Sequence, residues 1–323
     1  MGNRKKKMTL LGVAVLMLLL IGCTGLLIFS RNRNESGQPQ KKIGTVYMTM
    51  NNPYFEVINE QIKAVVKSRG DVVVTRDSAM DADMQERQID ELIEEGVDAL
   101  LVNAVDWKQI GSSLEKAEKA GIPVIAVDTE VYDDSTVDGT VTSDNYNAGV
   151  ICAKDLMKKR DSGTILFLVQ NTNKSAMDRI QGFQDALAEA GWKYENAGEL
   201  ECLGQLEVAQ PLVEKVLQER QDIDVVMALN DPAALGAMAA MDAAGMLSDV
   251  LVYSVDGTPE AKTMIYEKKM TATAAQSPMK TGATTARMLY DILDGKEIDK
   301  KVVLPVTLIT EENVDQFSLT GWE

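Results

Sequence analysis

Short apolar runs alternate with helix-like segments along most of this chain, and this alternation restricts the fold more than any other feature. Residues 97–102 and 122–127 are such runs, and each follows a segment whose apolar side chains recur at helical spacing. Continuous apolar strands that alternate with amphipathic helices indicate a parallel sheet covered by helices on both faces. The sequence therefore predicts an α/β fold.

The alternation begins near residue 43 and starts afresh near residue 164, which predicts two similar lobes. A chain of 323 residues is long enough to form two domains. Most of the strands end in polar side chains, and in open α/β sheets ligands bind beyond the carboxyl ends of the strands. We expect two facing lobes to bring these side chains into one cleft: Asn52, Asn103, Asp128 and Ser143 from the first half, and Asn230, Asp256 and Gln276 from the second.

Charge and composition argue against several classes of function. The chain has 49 acidic and 33 basic residues, a formal net charge of -16 and no histidine. This acidic balance argues against a nucleic-acid partner. The lack of histidine removes the commonest general base and a common metal ligand, which argues against an enzyme without excluding carboxylate chemistry. Cys152 and Cys202 lie in apolar or mixed segments and are predicted to be core residues rather than a disulfide or metal pair, so no metal or cofactor is expected.

The N-terminus has the features of an export or anchoring segment. A basic cluster precedes an apolar run over residues 8–29, close to the ~20 residues needed to span a bilayer. Residues 20–23 (LIGC) resemble the lipobox of bacterial lipoproteins, in which Cys23 is acylated, but apolar residues continue beyond Cys23. Residues 1–30 are therefore predicted to be either a lipoprotein signal or an uncleaved membrane anchor, and the polar residues 31–42 a tether. Both alternatives place the folded part outside the cytoplasm, attached to the outer face of the cell membrane.

Eight collinear segments of the chain resemble the periplasmic sugar-binding proteins of the ribose and galactose type. The resemblance spans about residues 43 to 310. One such motif would be weak evidence for the family, but eight motifs in the same order are strong evidence. The segments are 51–55 (NNPYF), 96–103 (GVDALLVN), 122–124 (IPV), 143–145 (SDN), 179–183 (RIQGF), 228–231 (ALND), 255–259 (VDGTP) and 274–278 (AAQSP).

The resemblance implies the type 1 periplasmic binding protein fold, in which two Rossmann-like lobes with parallel sheets are joined by a three-stranded hinge and close around a sugar. The hinge crossings would fall near residues 142–144, 276–277 and 305–307. The expected domains are residues 43–143 plus 277–306 for the first lobe, and residues 144–276 plus 307–323 for the second.

The resemblance also implies which side chains contact the ligand. Tyr54 and Phe55 would cover its faces, and the hydrogen-bonding residues would be Asn52, Asn103, Asp128, Arg179, Asn230, Asp256 and Gln276. The chemistry of these side chains agrees independently. Sugar hydroxyls both donate and accept, so amides, carboxylates and a guanidinium satisfy them, while aromatic rings cover C–H patches.

Three positions depart from the ribose-binding pattern. Met48 replaces a small hydroxyl residue, Thr129 stands where an arginine usually pairs with the sugar, and residues 203–206 lack the aromatic side chain that would cover the second ring face. These departures argue against ribose. A pentose, a hexose, a polyol or a related small polar molecule remains as the expected ligand.

Several candidate residues also have an ordinary structural interpretation. Asn52 precedes Pro53 and can cap a helix as well as contact a ligand. Asp231 precedes Pro232 in the same way and is predicted to be a cap. Thr258 is the better cap in its segment, which leaves Asp256 free to bind.

The sequence thus predicts a monomeric substrate-binding protein that captures a sugar or polyol and presents it to the permease of an ABC transporter. A sugar-sensing component that signals to a membrane histidine kinase or chemoreceptor is the alternative. A sugar-responsive transcription factor would need a basic helix-turn-helix where this chain has an apolar segment. An enzyme is not expected, because no nucleophile elbow or phosphate loop is present.

Overall fold

The computed structural model describes residues 39–322. The predicted anchor over residues 1–30, including Cys23, and most of the predicted tether lie outside the described residues. Between residues 39 and 322 there is no helix that is both long enough and apolar enough to cross a bilayer.

One six-stranded parallel sheet forms the centre of what we call the first lobe. Its strands follow the order β11-β5-β4-β3-β1-β2 and are β1 (Lys42–Tyr47), β2 (Val72–Asp77), β3 (Ala99–Val102), β4 (Val124–Asp128), β5 (Gly139–Ser143) and β11 (Lys301–Leu304). Four helices cover the sheet: α1 (Pro53–Ser68), α2 (Ala82–Glu94), α3 (Gly111–Lys119) and α9 (Pro278–Leu293).

A second six-stranded sheet forms the centre of the second lobe. Its strands follow the order β12-β10-β9-β8-β6-β7 and are β6 (Ser162–Val169), β7 (Lys193–Glu201), β8 (Val225–Ala228), β9 (Leu251–Asp256), β10 (Ala272–Ala275) and β12 (Thr307–Thr310). All neighbours are parallel except β12, which runs antiparallel to β10. The covering helices are α4 (Asn145–Lys159), α5 (Lys174–Glu189), α6 (Leu206–Glu219), α7 (Asp231–Ala243) and α8 (Pro259–Tyr266).

Each sheet is buried on both faces, as its continuous apolar strands predict. In β1, Ile43 and Tyr47 pack against the face covered by α1 and α9, while Val46 packs against α2 and α3 on the other face. Successive side chains of a strand point to opposite faces, so a strand covered on both sides must be apolar throughout. The predicted α/β fold with two lobes is confirmed.

Within residues 39–322 the chain passes three times between the sheets: between β5 and α4, between β10 and α9, and between β11 and β12. Residues 302–309, which read as one apolar run, are therefore two short strands in different sheets, separated at Pro305 and Val306. Strand β7 was not predicted, because it is a polar edge strand with most of its side chains exposed or half-buried.

Candidate functional site

The carboxyl ends of both sheets face a cavity of about 240 Å³ between the lobes. Eight of the nine predicted ligand residues line it: Asn52, Tyr54, Phe55, Asp128, Arg179, Asn230, Asp256 and Gln276. Asn103 is not among the lining residues. Its Oδ1 accepts the Met48 N–H at 3.3 Å and its Nδ2 donates to the Val127 carbonyl at 3.1 Å, so this amide ties together the ends of β1, β3 and β4.

The first turn of α1 forms one wall of the cavity. Asn52 is the N-cap, and its Oδ1 accepts the Tyr54 N–H at 2.9 Å, which confirms the predicted cap and places Pro53 in the first turn. Cap and proline together fix the direction in which the following aromatic residues leave the sheet. Tyr54 and Phe55 are both buried, with ring centroids 5.6 Å apart in an edge-to-face arrangement.

Asp128, the last residue of β4, presents a buried carboxylate to the cavity. Its Oδ2 lies 3.4 Å from Asn103 Nδ2, and its Oδ1 has no hydrogen-bond partner. Burial raises the pKa of Asp128, and the charge of Arg179 offsets this only in part. The backbone carbonyl of Asp128 accepts hydrogen bonds from the hydroxyls of Thr142 at 2.7 Å and Ser175 at 2.9 Å, and the second of these joins the two lobes.

Arg179, on α5, supplies the positive charge of the opposite wall. Its Nε donates to Asn145 Oδ1 at 2.8 Å and one Nη donates to the Leu229 carbonyl at 2.7 Å. The same Nη lies 3.7 Å from Asp256 Oδ1, and both side chains are buried. The guanidinium is therefore held in place by acceptors of its own lobe before any ligand contact.

Two glycines allow α5 to carry Arg179 this close to α4. A Cβ at Gly149 would lie 1.9 Å from the Arg179 carbonyl oxygen, and one at Gly182 would lie 2.0 Å from the Tyr146 carbonyl oxygen. Both contacts are with backbone atoms, so the two helices can approach to this distance only if neither position has a side chain.

Asp256, Gln276 and Tyr54 form a hydrogen-bonded chain across the lobes. Gln276 Nε2 donates to Asp256 Oδ1 at 2.7 Å, and the Tyr54 hydroxyl donates to Gln276 Oε1 at 3.2 Å. Asp256 Oδ2 has no hydrogen-bond partner. Burial raises the pKa of Asp256 to about 8, against the lowering effect of Arg179.

The two site carboxylates occupy equivalent positions in the two lobes. Asp128 ends β4 and Asp256 ends β9, each the third strand in its sheet order. Both residues have positive φ, 69° and 138°, in the region that L-residues rarely adopt. Backbone strain of this kind costs of order 1–3 kcal/mol and concentrates at functional sites. The same strained backbone at equivalent positions of the two lobes supports the assignment of both carboxylates to the candidate ligand site.

Helix capping in the second lobe differs in part from the prediction. Asn230, and not Asp231, caps α7: its Oδ1 accepts the Ala233 N–H at 3.0 Å, and its Nδ2 donates to the Gly204 carbonyl. Asp231 is instead a fully buried acceptor for Thr273 Oγ1 and Thr258 N, both at 2.7 Å, and for the Ser254 hydroxyl. Thr258 caps α8 as predicted.

Several lining residues were not among the predicted site. Gln170, Asn173 and Ser175 follow β6, whose polar end was visible in the sequence but was not assigned to the ligand. Gln170 Nε2 is buried without a hydrogen-bond partner. Six apolar lining residues were also missed, three from loops, where no periodicity marks them, and three from the first turns of α6 and α7: Met48, Met80, Leu203, Leu206, Pro232 and Leu235.

The two cysteines of the described chain are buried and unpaired, as predicted for core residues. Burial raises the pKa of the Cys202 thiol to about 11 and raises that of Cys152 further. No group of three or more Asp, Glu, Cys or His side chains within residues 39–322 has the arrangement of a metal site.

Comparison with known proteins identifies the family. Residues 43–297 match the sequence profile of the periplasmic binding protein domain. The chain is 30% identical over 286 residues to the ribose import binding protein RbsB of Bacillus subtilis (strain 168), covering 88% of this chain and 92% of that protein. This chain belongs to the periplasmic binding protein domain family, whose members act outside the cytoplasm and bind solutes rather than transform them.

Solved structures of similar proteins share the whole two-lobed fold. An ABC transporter solute-binding protein from Mycobacterium smegmatis with bound glycerol has a TM-score of 0.81 and 28% identity, covering 88% of this chain and 100% of that chain. An ABC transporter solute-binding protein from Bacillus halodurans C-125 with bound myo-inositol has a TM-score of 0.79 and 25% identity, covering 86% and 96% of the two chains.

Proposed function

We propose that this protein captures a sugar or related polyol between its two lobes and delivers it to the permease of an ABC transporter. The observation that carries the proposal is the cavity itself, in which polar side chains from both lobes converge and three buried polar atoms lack partners: Asp128 Oδ1, Asp256 Oδ2 and Gln170 Nε2. A buried polar group without a partner is costly, so a ligand with several hydroxyls that satisfies these atoms gains binding free energy.

The similar proteins support the same class of ligand. The Bacillus subtilis relative is a ribose import protein, and the two solved structures hold glycerol and myo-inositol. A signalling role through a sensor kinase or chemoreceptor is not favoured, because no feature of the site distinguishes it and the relatives named above serve import.

In the proposed complex, the nine predicted residues hold different roles. Asp128, Arg179, Asp256 and Gln276 contact the ligand directly, with Tyr54 and Phe55 against its faces. Asn52 and Asn230 contribute from the helix caps. Asn103 acts through the Asp128 carboxylate, to which its amide lies at 3.4 Å.

The proposal extends to closure and to attachment. We assign residues 43–143 plus 277–306 and residues 144–276 plus 307–323 to two bodies that close about the three crossings, because a ligand that contacts both lobes stabilises the closed state. The closed protein acts as a monomer, held at the outer face of the membrane by residues 1–30, through either a lipid on Cys23 or an uncleaved anchor. The intact mass of membrane-extracted protein distinguishes these, since a lipoprotein gains lipid at Cys23 and loses the preceding residues by peptide-bond cleavage.

Calorimetry and small-angle X-ray scattering across a panel of pentoses, hexoses and polyols test the function. We expect at least one member to bind and to reduce the radius of gyration. If no member of the panel binds or reduces the radius of gyration, the proposal is wrong. The scattering curve of the same samples also reports whether the protein is a monomer.

A further inference from the structure

The cavity is lined by more acidic than basic side chains. Among its lining residues the only cationic side chain is Arg179, whereas four are carboxylates: Asp128, Asp256, Glu207 and Glu260. Glu207 and Glu260 are exposed at the cavity edge, where water screens them. Asp128 and Asp256 are 4% and 2% exposed, so the imbalance that matters lies in the buried part.

Arg179 forms an ion pair with only one of the two buried carboxylates. That ion pair is with Asp256, while the Arg179 Nε donates to Asn145 and one Nη donates to the Leu229 carbonyl. None of the ion pairs within residues 39–322 involves Asp128. The residue that follows it, Thr129, is fully buried and its hydroxyl accepts the Ser175 N–H at 3.4 Å, so this neighbour brings no charge.

Asp128 Oδ1 is thus buried at the cavity without a hydrogen-bond partner, and the charge of Arg179 offsets the cost of burying this carboxylate only in part. The Asn103 amide lies 3.4 Å from the other carboxylate oxygen, and the Tyr54 hydroxyl also interacts with this carboxylate, but neither satisfies Oδ1. A buried carboxylate in this situation takes up a proton or acquires a cation. A ligand hydroxyl supplies a hydrogen bond but no charge. A protonated amine supplies both, and charge-assisted hydrogen bonds are roughly twice as strong as neutral ones.

We propose that the preferred ligand is a cationic polyol, that is, an amino sugar or an aminocyclitol, whose ammonium group binds the Asp128 carboxylate while its hydroxyls bind the opposite wall. This inference rests on the proposed function and narrows its substrate class. The hydroxyl-bearing part of the ligand is then bound by Arg179, Asp256 and Gln276, while Asp128 binds the ammonium group.

Matched ligand pairs test the inference on the unmodified protein. Calorimetry at neutral pH compares D-glucosamine with D-glucose, D-galactosamine with D-galactose, and an amino-deoxy-inositol with myo-inositol. We expect the amine of at least one pair to bind at least ten-fold more tightly than its hydroxyl partner. Neutral members that bind as tightly as the amines, or more tightly, would overturn the inference and leave the proposed function standing. Failure of every compound to bind or to compact the protein would overturn both.

Replacement of the carboxylate tests the assigned residue. In Asp128→Asn we expect the ratio of amine to hydroxyl affinities to fall towards one, mainly through loss of amine affinity. Asp161→Asn, at an exposed position on the second lobe, is the matched control and should keep the wild-type ratio. An unchanged ratio in folded Asp128→Asn would show that Asp128 does not select the charge. If that variant does not fold, the matched pairs on wild-type protein still decide the inference.

Discussion

The carboxyl group of Asp256 is easier to protonate in the folded protein than in the unfolded chain. Burial raises its pKa from 3.8 to about 8, so between these values the native state holds a proton that the unfolded state releases. By linkage, the contribution of this group to the free energy of unfolding is fully present below pH 4 and declines as the pH rises towards 8.

We therefore expect Asp256→Asn to remove this decline. From pH 5 to pH 8 the stability of the variant should rise relative to wild type by up to about 1.4 kcal/mol per pH unit, the free energy of one proton per unit. Urea unfolding at several pH values measures the difference. The exposed Asp161→Asn serves as control and should follow wild type. Parallel pH profiles for wild type and Asp256→Asn would contradict the expectation.

Arg179 has a structural role as well as the proposed ligand contact. In Arg179→Ala, the buried Asn145 Oδ1 and the Leu229 carbonyl each lose a hydrogen-bond donor, and a buried acceptor left without a partner costs about 1–3 kcal/mol of stability. Ligand affinity should fall by at least about 1.5 kcal/mol, the lower range for a charged hydrogen bond. Arg179→Lys keeps the positive charge but lacks the planar guanidinium group. Its stability and ligand affinity should therefore lie between those of wild type and Arg179→Ala.

Urea unfolding and calorimetry on the same samples separate these two effects of Arg179. Arg87, exposed on α2 of the first lobe, provides the matched control, and Arg87→Ala should change neither quantity. Wild-type stability together with wild-type affinity in Arg179→Ala would mean that the cavity is not the binding site.

At the scale of elements, the crossing of α4 and α5 depends on its two glycines. Gly149→Ala places a methyl group against backbone atoms of α5 at Arg179 and Phe183, so the helices must separate. Overpacking of this kind costs about 1–3 kcal/mol, and the displacement of Arg179 should weaken ligand binding as well. Gly111→Ala is the control, because nothing lies within 4 Å of the added Cβ and a helical alanine is favoured by roughly 0.5–1 kcal/mol. Thermal unfolding measures the stability of both variants, and calorimetry measures their ligand affinity. Equal stability and equal affinity in the two variants would contradict the expectation.

The elements that periodicity could predict are those buried on both faces. The strands β3, β4 and β8 are short continuous apolar runs, and helices such as α1 have regular apolar spacing. Strand β7 has neither pattern, because its position at the sheet edge leaves its side chains in water. Capping was predicted correctly at Asn52 but displaced by one residue at Asn230, since a polar pair before a proline does not reveal which member turns inward.

At the scale of the whole molecule, the lobes also contact each other directly, both at the cavity edge and away from it. Asn51 Nδ2 donates to Glu207 Oε1 at 3.0 Å across the cleft, and the Trp107 N–H donates to the Thr172 carbonyl at 3.0 Å. These contacts join residues of different lobes, so they can form only when the lobes are together. They should contribute to ligand affinity by stabilising the closed state.

A double-mutant cycle on Asn51→Ala and Glu207→Ala measures one such contact. We expect each substitution to weaken ligand binding by about 0.5–1 kcal/mol and the double variant to lose no more than either, because one hydrogen bond is shared. Glu219→Ala, exposed at the end of the same helix as Glu207, is the control. Calorimetry that gave additive losses would show that the two side chains do not act together in the bound protein.

Sequence reasoning found the part of the site that comes from strand ends and missed the part that depends on how the lobes meet. Asp128 and Asp256 end apolar strands, so their position could be predicted without tertiary information. Leu203 and Met80 line the cavity from loops, and only the relative placement of the lobes brings them there. For the same reason, the sequence could not show that the Asn103 side-chain amide forms its hydrogen bonds with backbone groups of neighbouring strands.

Two of the three tryptophans lie at contacts between the lobes. The ring of Trp322 is 5.8 Å from that of Tyr54 in the first lobe, although the chain just before it packs on the second lobe. The ring of Trp107 lies 5.9 Å from Lys174 Nζ of the second lobe, while Trp192 is held within the second lobe by the Arg160 carbonyl. Intrinsic fluorescence should therefore report opening and closing without any attached dye, with Trp192 as a constant background, and stopped-flow mixing could follow ligand capture in real time.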